Sequence, residues 1–226
     1  MYRTRYIFLW LLFAAFHLFA QGGDNSGLVI GRLKYSGGGD WYNDPSCIPN
    51  LADFLSRHTN LKVKNHEQKV AVMDEELFSY PFLFMTGHGR VLFTDEERER
   101  LRLYLVSGGF LYVDDDYGMD KFFRKELKKI FPEKKLVELP ASHAIFSAHF
   151  LFPEGIPKTH EHDPGPGHAY AIFHEGRMIL LYTFNTNISD GWADPGVHGD
   201  SELVRTTALK MGVNIVVFAL AQQFLK

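Results

Sequence analysis

Three short stretches carry residue types that do chemistry. Asp114-Asp115-Asp116 follows the apolar run Phe110, Leu111, Tyr112 and Val113. Carboxylates this close repel one another unless a cation, an arginine or water offsets their charge. One reading is a metal or polar-ligand site, in which Asp114 and Asp115 do the acid, base or nucleophile work and Asp116 contacts the ligand. The other is a solvated turn that caps a helix from Met119 onward. His88 stands between Gly87 and Gly89. An imidazole titrating near pH ~6.5 suits a general base, a ligand or a donor to substrate. Glycines that merely serve a turn, with His88 capping nearby backbone, are the competing explanation.

In His160-Glu161-His162-Asp163 two imidazoles lie two residues apart, so an extended segment turns both the same way. His160, His162 and Asp163 are candidate ligands for a divalent metal such as zinc. A catalytic zinc site wants about three protein ligands and a structural one about four, so others must be imported. His143, His149, His168 and the aspartates are the sources, and no spacing singles one out. An exposed loop bonded to itself reads equally from these residues. Asp40, Trp41, Tyr42 and Asp44, and later Asp190, Trp192 and Asp194, alternate aromatics with acids. Such groups suit sugar rings, whose apolar faces stack on aromatics while their hydroxyls bond carboxylates. Loop aromatics also pack loops onto the body of a protein.

The elements that must position these residues alternate. Residues 28–33 read as a first buried strand, 48–55 as a helix, 61–64 as a weaker strand extended by 70–73, and 82–85 as a short buried strand. Thr94 with Glu97 makes a capping box for a helix with Leu101, Tyr104 and Leu105 on its apolar face, stopped by Gly108-Gly109. The strand at 110–113 completes a strand–helix–strand unit, which a parallel pair requires. A helix over 120–130, a strand over 136–139, a hairpin of 169–173 and 178–184 around Glu175-Gly176, and a helix from 201 to 224 capped by Asp200 follow. Leu203, Thr207 and Met211 give that last helix a core face. Residues 153–168 hold four prolines and three glycines and form a long irregular excursion; such loops are uncommon and often functional. The alternation predicts an α/β fold with an open, mostly parallel sheet and helices on both faces. Ligands bind such sheets beyond the C-terminal strand ends, which gathers the loops at 37–44, 87–90 and 114–117.

Arg3 and Arg5, an uncharged run over 7–19 and Ala20 read as a signal peptide over residues 1–20. A linker over 21–27 and one domain over 28–226 follow. The apolar run is shorter than the roughly 20 residues of a spanning helix, so no stable membrane anchor is expected after cleavage. The expected destination is periplasmic or extracellular. Cleavage moves the net charge from −3 to −5, which gives no reason to expect nucleic acid. Cys47 is the single cysteine, so no internal disulfide forms, and export makes it a poor nucleophile. No Gly-x-Ser-x-Gly elbow, phosphate-binding glycine loop or CxxC occurs.

Taken in order, Gly37-Gly38-Gly39-Asp40-Trp41-Tyr42-Asn43-Asp44-Pro45, Thr86-Gly87-His88-Gly89, Gly108-Gly109-Phe110-Leu111 with Asp114-Asp115-Asp116-Tyr117-Gly118, His160-Glu161-His162-Asp163 and Asp190-Gly191-Trp192 resemble the bacterial family catalogued as domain of unknown function 4159. That family is distantly similar to class I glutamine-amidotransferase-like and ThuA-like domains, which implies a flavodoxin-like sheet. Amidotransferases of that fold carry a cysteine on the turn after the strand that follows a Gly-Gly pair. Here that turn holds Asp114-Asp115-Asp116, so glutaminase chemistry is not expected. The expectation is a domain that binds, and in one version hydrolyses, a small polar ligand such as a saccharide or envelope fragment. A non-catalytic module that recruits an envelope protein is the other reading. Convergence of His88, the aspartates and the two-histidine loop separates the first from the second, which predicts scattered histidines and an exposed apolar patch.

Overall fold

The computed structural model describes residues 27–160 and 162–222. The predicted signal peptide, and nearly all of the predicted linker, lie outside the described residues. The strands are β1 (Leu28–Lys34), β2 (Val63–Ala71), β3 (Phe82–His88), β4 (Phe110–Tyr117), β5 (Val137–Glu138), β6 (His168–His174) and β7 (Arg177–Phe184). They form one seven-stranded sheet in the order β2-β1-β3-β4-β7-β6-β5. The run from β2 to β7 is parallel, and β6 and β5 extend it antiparallel. The α/β class and the mostly parallel sheet follow the alternation in the sequence.

The helices are α1 (Cys47–His58), α2 (Asp95–Val106), α3 (Asp120–Ile130) and α4 (Glu202–Ala221). Side chains of a strand alternate between faces, so β3 and β4 feed two cores. Phe82, Phe84, Phe110 and Tyr112 pack with Ile48 and Leu51 of α1 and Met211 and Ile215 of α4. Leu83, Met85, Leu111 and Val113 pack with Leu101 and Leu105 of α2 and Phe123 and Leu127 of α3. Helices therefore cover both faces, which is why these strands carry continuous apolar runs. The capping box forms as predicted, Thr94 Oγ1 accepting from Glu97 N and Glu97 Oε2 accepting from Thr94 N.

Four expectations change. The weak strand and its extension are one strand, β2, pairing only with β1 at the sheet edge. The predicted 136–139 strand shrinks to the two residues of β5. Ser201, not Asp200, caps α4, its hydroxyl accepting from Val204 N. On α4, Leu203 is exposed, and the buried side runs through Ala208, Met211, Gly212 and Ile215. This helix is long and apolar enough to cross a membrane; here much of it is packed against the sheet. Gly212 is required at that contact, since a Cβ there would stand 2.6 Å from Leu51 and 2.8 Å from Trp192.

The largest change concerns β4. An apolar run of four was expected to end in an acidic turn, yet the strand continues through the acids to Tyr117. Asp114, Asp115 and Asp116 are all buried, so they are not a solvated turn. The register aligns Thr86 with Asp114 and His88 with Tyr117.

Candidate functional site

β1, β3, β4 and β7 run in the same direction, and their C-terminal ends open onto one rim of the sheet. Between β1 and β3 the strand order reverses direction, the position at which open α/β sheets form a crevice.

Arg32 of β1 builds the first wall. It is fully buried and donates from Nη1 to the carbonyls of Trp41 (3.2 Å) and Asn43 (3.0 Å), and from Nη2 to the carbonyl of Asp44 (3.2 Å) and to Cys47 Sγ (3.0 Å). Its Nε reaches Glu67 Oε2 at 2.6 Å, so the buried charge is paired. This one guanidinium fixes the loop that carries Asp40 and Asp44. Sequence reasoning missed it; an arginine between the apolar residues of a buried strand was the available signal. Cys47 is consumed by the same contact, and burial pushes its thiol up to about 12.

Gly87 brings the next residues together. Its φ is +141°, and a Cβ there would lie 2.2 Å from the Tyr35 hydroxyl and 3.1 Å from Asp40 Oδ1. Asp40 therefore sits against the turn, where it accepts from His88 N and lies 3.0 Å from His88 Nδ1. The other ring nitrogen, Nε2, is 3.3 Å from Asp116 Oδ2. His88 is half exposed, held between two acids.

The three aspartates of β4 have three different tasks. Asp114 Oδ1 accepts from the hydroxyls of Thr183 (2.5 Å) and Thr186 (3.1 Å), and Oδ2 accepts from Ser189 N (2.7 Å) and Oγ (2.8 Å). Burial still raises it to about 6. Asp115, on the opposite face, accepts from Met119 N (2.8 Å) and Asp120 N (3.2 Å) and so caps α3; burial raises it to about 7. The helix-cap explanation thus holds for Asp115, which also lines the cleft described below, and Asp114 is tied to the segment after β7. Asp116 is the member of the triplet that meets His88. It accepts from the amide of Asn187 at Oδ1 (3.0 Å) and from that of Asn43 at Oδ2. Burial raises its pKa, opposed by His88.

Opposite Asp116 stands Asp190, the first residue of a short 3-10 turn after β7. Its side chain is 2% exposed. Oδ2 accepts from Asn187 Nδ2 at 3.3 Å, while Oδ1 is buried with no hydrogen-bond partner among the described residues. Burial first, then the carboxylates of Asp116, Asp114 and Asp44, push Asp190 up to about 9. His198 bridges to the first wall, with Nε2 3.0 Å from Asp44 Oδ1 and Nδ1 3.8 Å from Asp190 Oδ2. Of the four non-glycine residues with positive φ among the described residues, three line this rim: Asp44 (+46°), Asn185 (+56°) and Asn187 (+50°). Such strain persists only where surrounding structure enforces it, and it clusters at functional sites.

His162 reaches the same place from the long loop, its ring 4.6 Å from Tyr117 and 4.7 Å from His160. Burial, and then His160, lower its pKa, which favours the neutral imidazole that ligates metals. Ligand atoms of Asp116, His162 and Asp190 lie within 4.8 Å of one another, and so do those of Asp44, Asp190 and His198. A cleft of about 310 Å³ opens beside them, lined by Asp116, Tyr117, His162, Asp163 and Asn187.

The other predicted residues separate. His160 belongs to the histidine cluster, with Nδ1 3.9 Å from Asp200 Oδ1. Asp163 lines the cleft but joins neither acid–imidazole group, and its backbone carbonyl accepts from Lys158. Trp192 is a correction. It is 1% exposed, packs on Phe84 and Tyr112 with centroids 5.4 and 5.9 Å away, and donates from Nε1 to Ala208 O at 2.9 Å. It is a core residue that no ligand can stack on. Trp41 is partly buried beneath the Lys34 and Lys69 ammonium groups, whereas Tyr42 is exposed. Of the imported ligands sought in the sequence, the aspartates arrive beside His162 as Asp116 and Asp190, while His143, His149 and His168 are elsewhere. His198, which no local pattern marked, joins Asp44 and Asp190.

These features define an α/β domain with an acid–imidazole site, buried at Asp116 and Asp190 and open at its histidines, at the C-terminal rim of its parallel strands. The chain belongs to the family described as Domain of unknown function (DUF4159), whose model matches residues 29–220. No curated protein matches the chain.

Proposed function

We propose that this domain binds a divalent cation at the rim and, through it, a small polar ligand such as a saccharide or a cell-envelope fragment. The observation that carries this reading is Asp190 Oδ1, a buried carboxylate oxygen without a donor, on the residue that two acid–imidazole groups have in common. Buried carboxylates are paired, protonated or bound to metal. Three carboxylates and two imidazoles, Asp44, Asp116, Asp190, His162 and His198, are a donor set suited to zinc or manganese. The convergence of His88, His160, His162 and His198 supports this reading over a partner-recruiting module.

Hydrolysis is the reaction these groups suit. A water oxygen would bond to the electrophilic centre of the ligand, its proton would pass to His88 Nε2, and the leaving group would depart with a proton from solvent. Asp40 at Nδ1 fixes the ring for that transfer. The sequence departure from amidotransferases stands beside this: no thiol follows β4, and Cys47 is buried. The order β2-β1-β3-β4-β7 supports a flavodoxin-like assignment. The basic and then apolar start of the chain supports export.

Elemental analysis of the purified protein, with thermal shift across Zn2+, Mn2+ and simple saccharides, tests the reading. Bound metal and a rise in Tm with cation, lost in a His162→Ala, Asp190→Asn variant, are expected. A protein that carries no cation and whose Tm no cation moves would end it.

A further inference from the structure

Asp190 belongs to both acid–imidazole groups, and it is the only residue they share. Resting on the cation reading above, we propose that the site holds two divalent cations, with the Asp190 carboxylate bridging them, Asp44 and His198 completing one and Asp116 and His162 the other. Each trio supplies three protein ligands, which is the number a catalytic metal takes when it leaves a position open for water or substrate.

Three features converge on two ions and not one. First, the five side chains divide into two trios at ligand spacing instead of forming one group. Second, the Asp190 oxygens differ. Oδ2 has Asn187 and lies 3.8 Å from His198 Nδ1, on the Asp44 side. Oδ1 is buried and has no hydrogen-bond partner among the described residues, which leaves it available to a second ion. A carboxylate that offers one oxygen to each metal spans the roughly 3.5–4 Å of two-metal hydrolytic sites. Third, the charge balances. Ionised by bound metal, the three carboxylates carry −3; one dication leaves the five ligands negative, whereas two leave them singly positive, matched by a hydroxide or an anionic ligand.

The neighbouring groups fit an outer shell. Asn187 donates to both Asp116 and Asp190, which orients the carboxylates toward the ions, and His88 Nε2 lies 3.3 Å from Asp116 Oδ2, beside the ions where a water proton would be taken up. On the other side Arg32 holds the Asp44 carbonyl, so the Asp44 trio depends on a fixed loop.

The test is zinc stoichiometry of the full chain, by titration calorimetry after chelation and by elemental analysis after dialysis. Two zinc ions per chain are expected in the unmodified protein. His198→Ala and His162→Ala should each retain one, and Asp190→Asn should lose at least one and weaken the other tenfold or more. One ion in the unmodified protein overturns the two-ion site and leaves the cation reading standing; none overturns both. Two ions that persist in all three variants lie elsewhere and also overturn it. The unmodified protein decides the count by itself, and circular dichroism of each variant separates lost ligands from lost fold.

Discussion

Asp114 and Asp190 are both buried aspartates at the same rim, and they differ in what surrounds them. Asp114 has four donors from Thr183, Thr186 and Ser189. Asp190 has a single amide and three carboxylates pressing on it. A satisfied buried carboxylate is a structural tie: it clamps the segment after β7 onto the end of β4. An unsatisfied one pressed by neighbouring acids holds its proton until a cation displaces it, and it marks where such a cation would bind. The pair teaches that burial of an acid says little until its donors are counted.

The contrast breaks most readily at its structural end. Asp114→Ala leaves the donors of Thr183, Thr186 and Ser189 without an acceptor, and should lower unfolding free energy in urea denaturation by about 1–3 kcal/mol for each donor that finds no new partner. Asp190→Asn, measured the same way in chelator at pH 7, should change stability by no more than about 1 kcal/mol, because a carboxyl pushed up to about 9 is already uncharged there and the amide replaces a neutral group of the same shape. Equal losses in the two variants would erase the distinction.

The aromatics repeat the contrast. Trp192→Ala empties a core position and should cost about 3–5 kcal/mol. Tyr42→Ala should stay within about 0.5 kcal/mol, so any effect it has on saccharide thermal shift reports binding and not folding.

Glu126 sharpens the comparison from a third side. This buried acid of α3 lies 2.7 Å from both Arg98 Nε and Lys129 Nζ. Burial raises its pKa, and the two cations outweigh that and hold it below the usual glutamate value. A lowered folded pKa adds stability above the unfolded value of about 4.3 and loses it as pH falls through the folded value. Glu126→Gln should therefore cost about 2 kcal/mol at pH 7 and progressively less below about pH 4. A loss that stayed constant with pH would show that ion pairing is not what satisfies this acid.

The smallest effect is kinetic. Cys47 lies at 0% exposure with its thiol pushed up to about 12. A thiol reagent at pH 8 should label it only as the protein unfolds; labelling of the native state at a free-thiol rate would remove Arg32 as the clamp of the Asp44 loop.

Much of the fold was legible in the chain. The alternation of apolar runs and capped helices depends on neighbours in sequence, so it yielded the α/β class, the Thr94–Glu97 box and the hairpin around Glu175-Gly176. The pairing of His160 with His162 was legible for the same reason, since an i, i+2 spacing fixes direction locally. The site was legible only in outline. Which aspartate of the triplet meets His88 depends on how far β4 continues, and a run ending in three acids does not look like the interior of a strand. Trp192 was misread because nothing local distinguishes a loop tryptophan that stacks on a sugar from one that fills a core. Asp44, Asp190 and His198 come from loops after β1 and after β7, separated by most of the chain. The sequence determined which side chains exist and which local elements carry them; the order β2-β1-β3-β4-β7 decided which of them meet. Side-chain chemistry is local, whereas convergence of distant loops is a property of strand order and of buried ties such as Arg32 and Asp114.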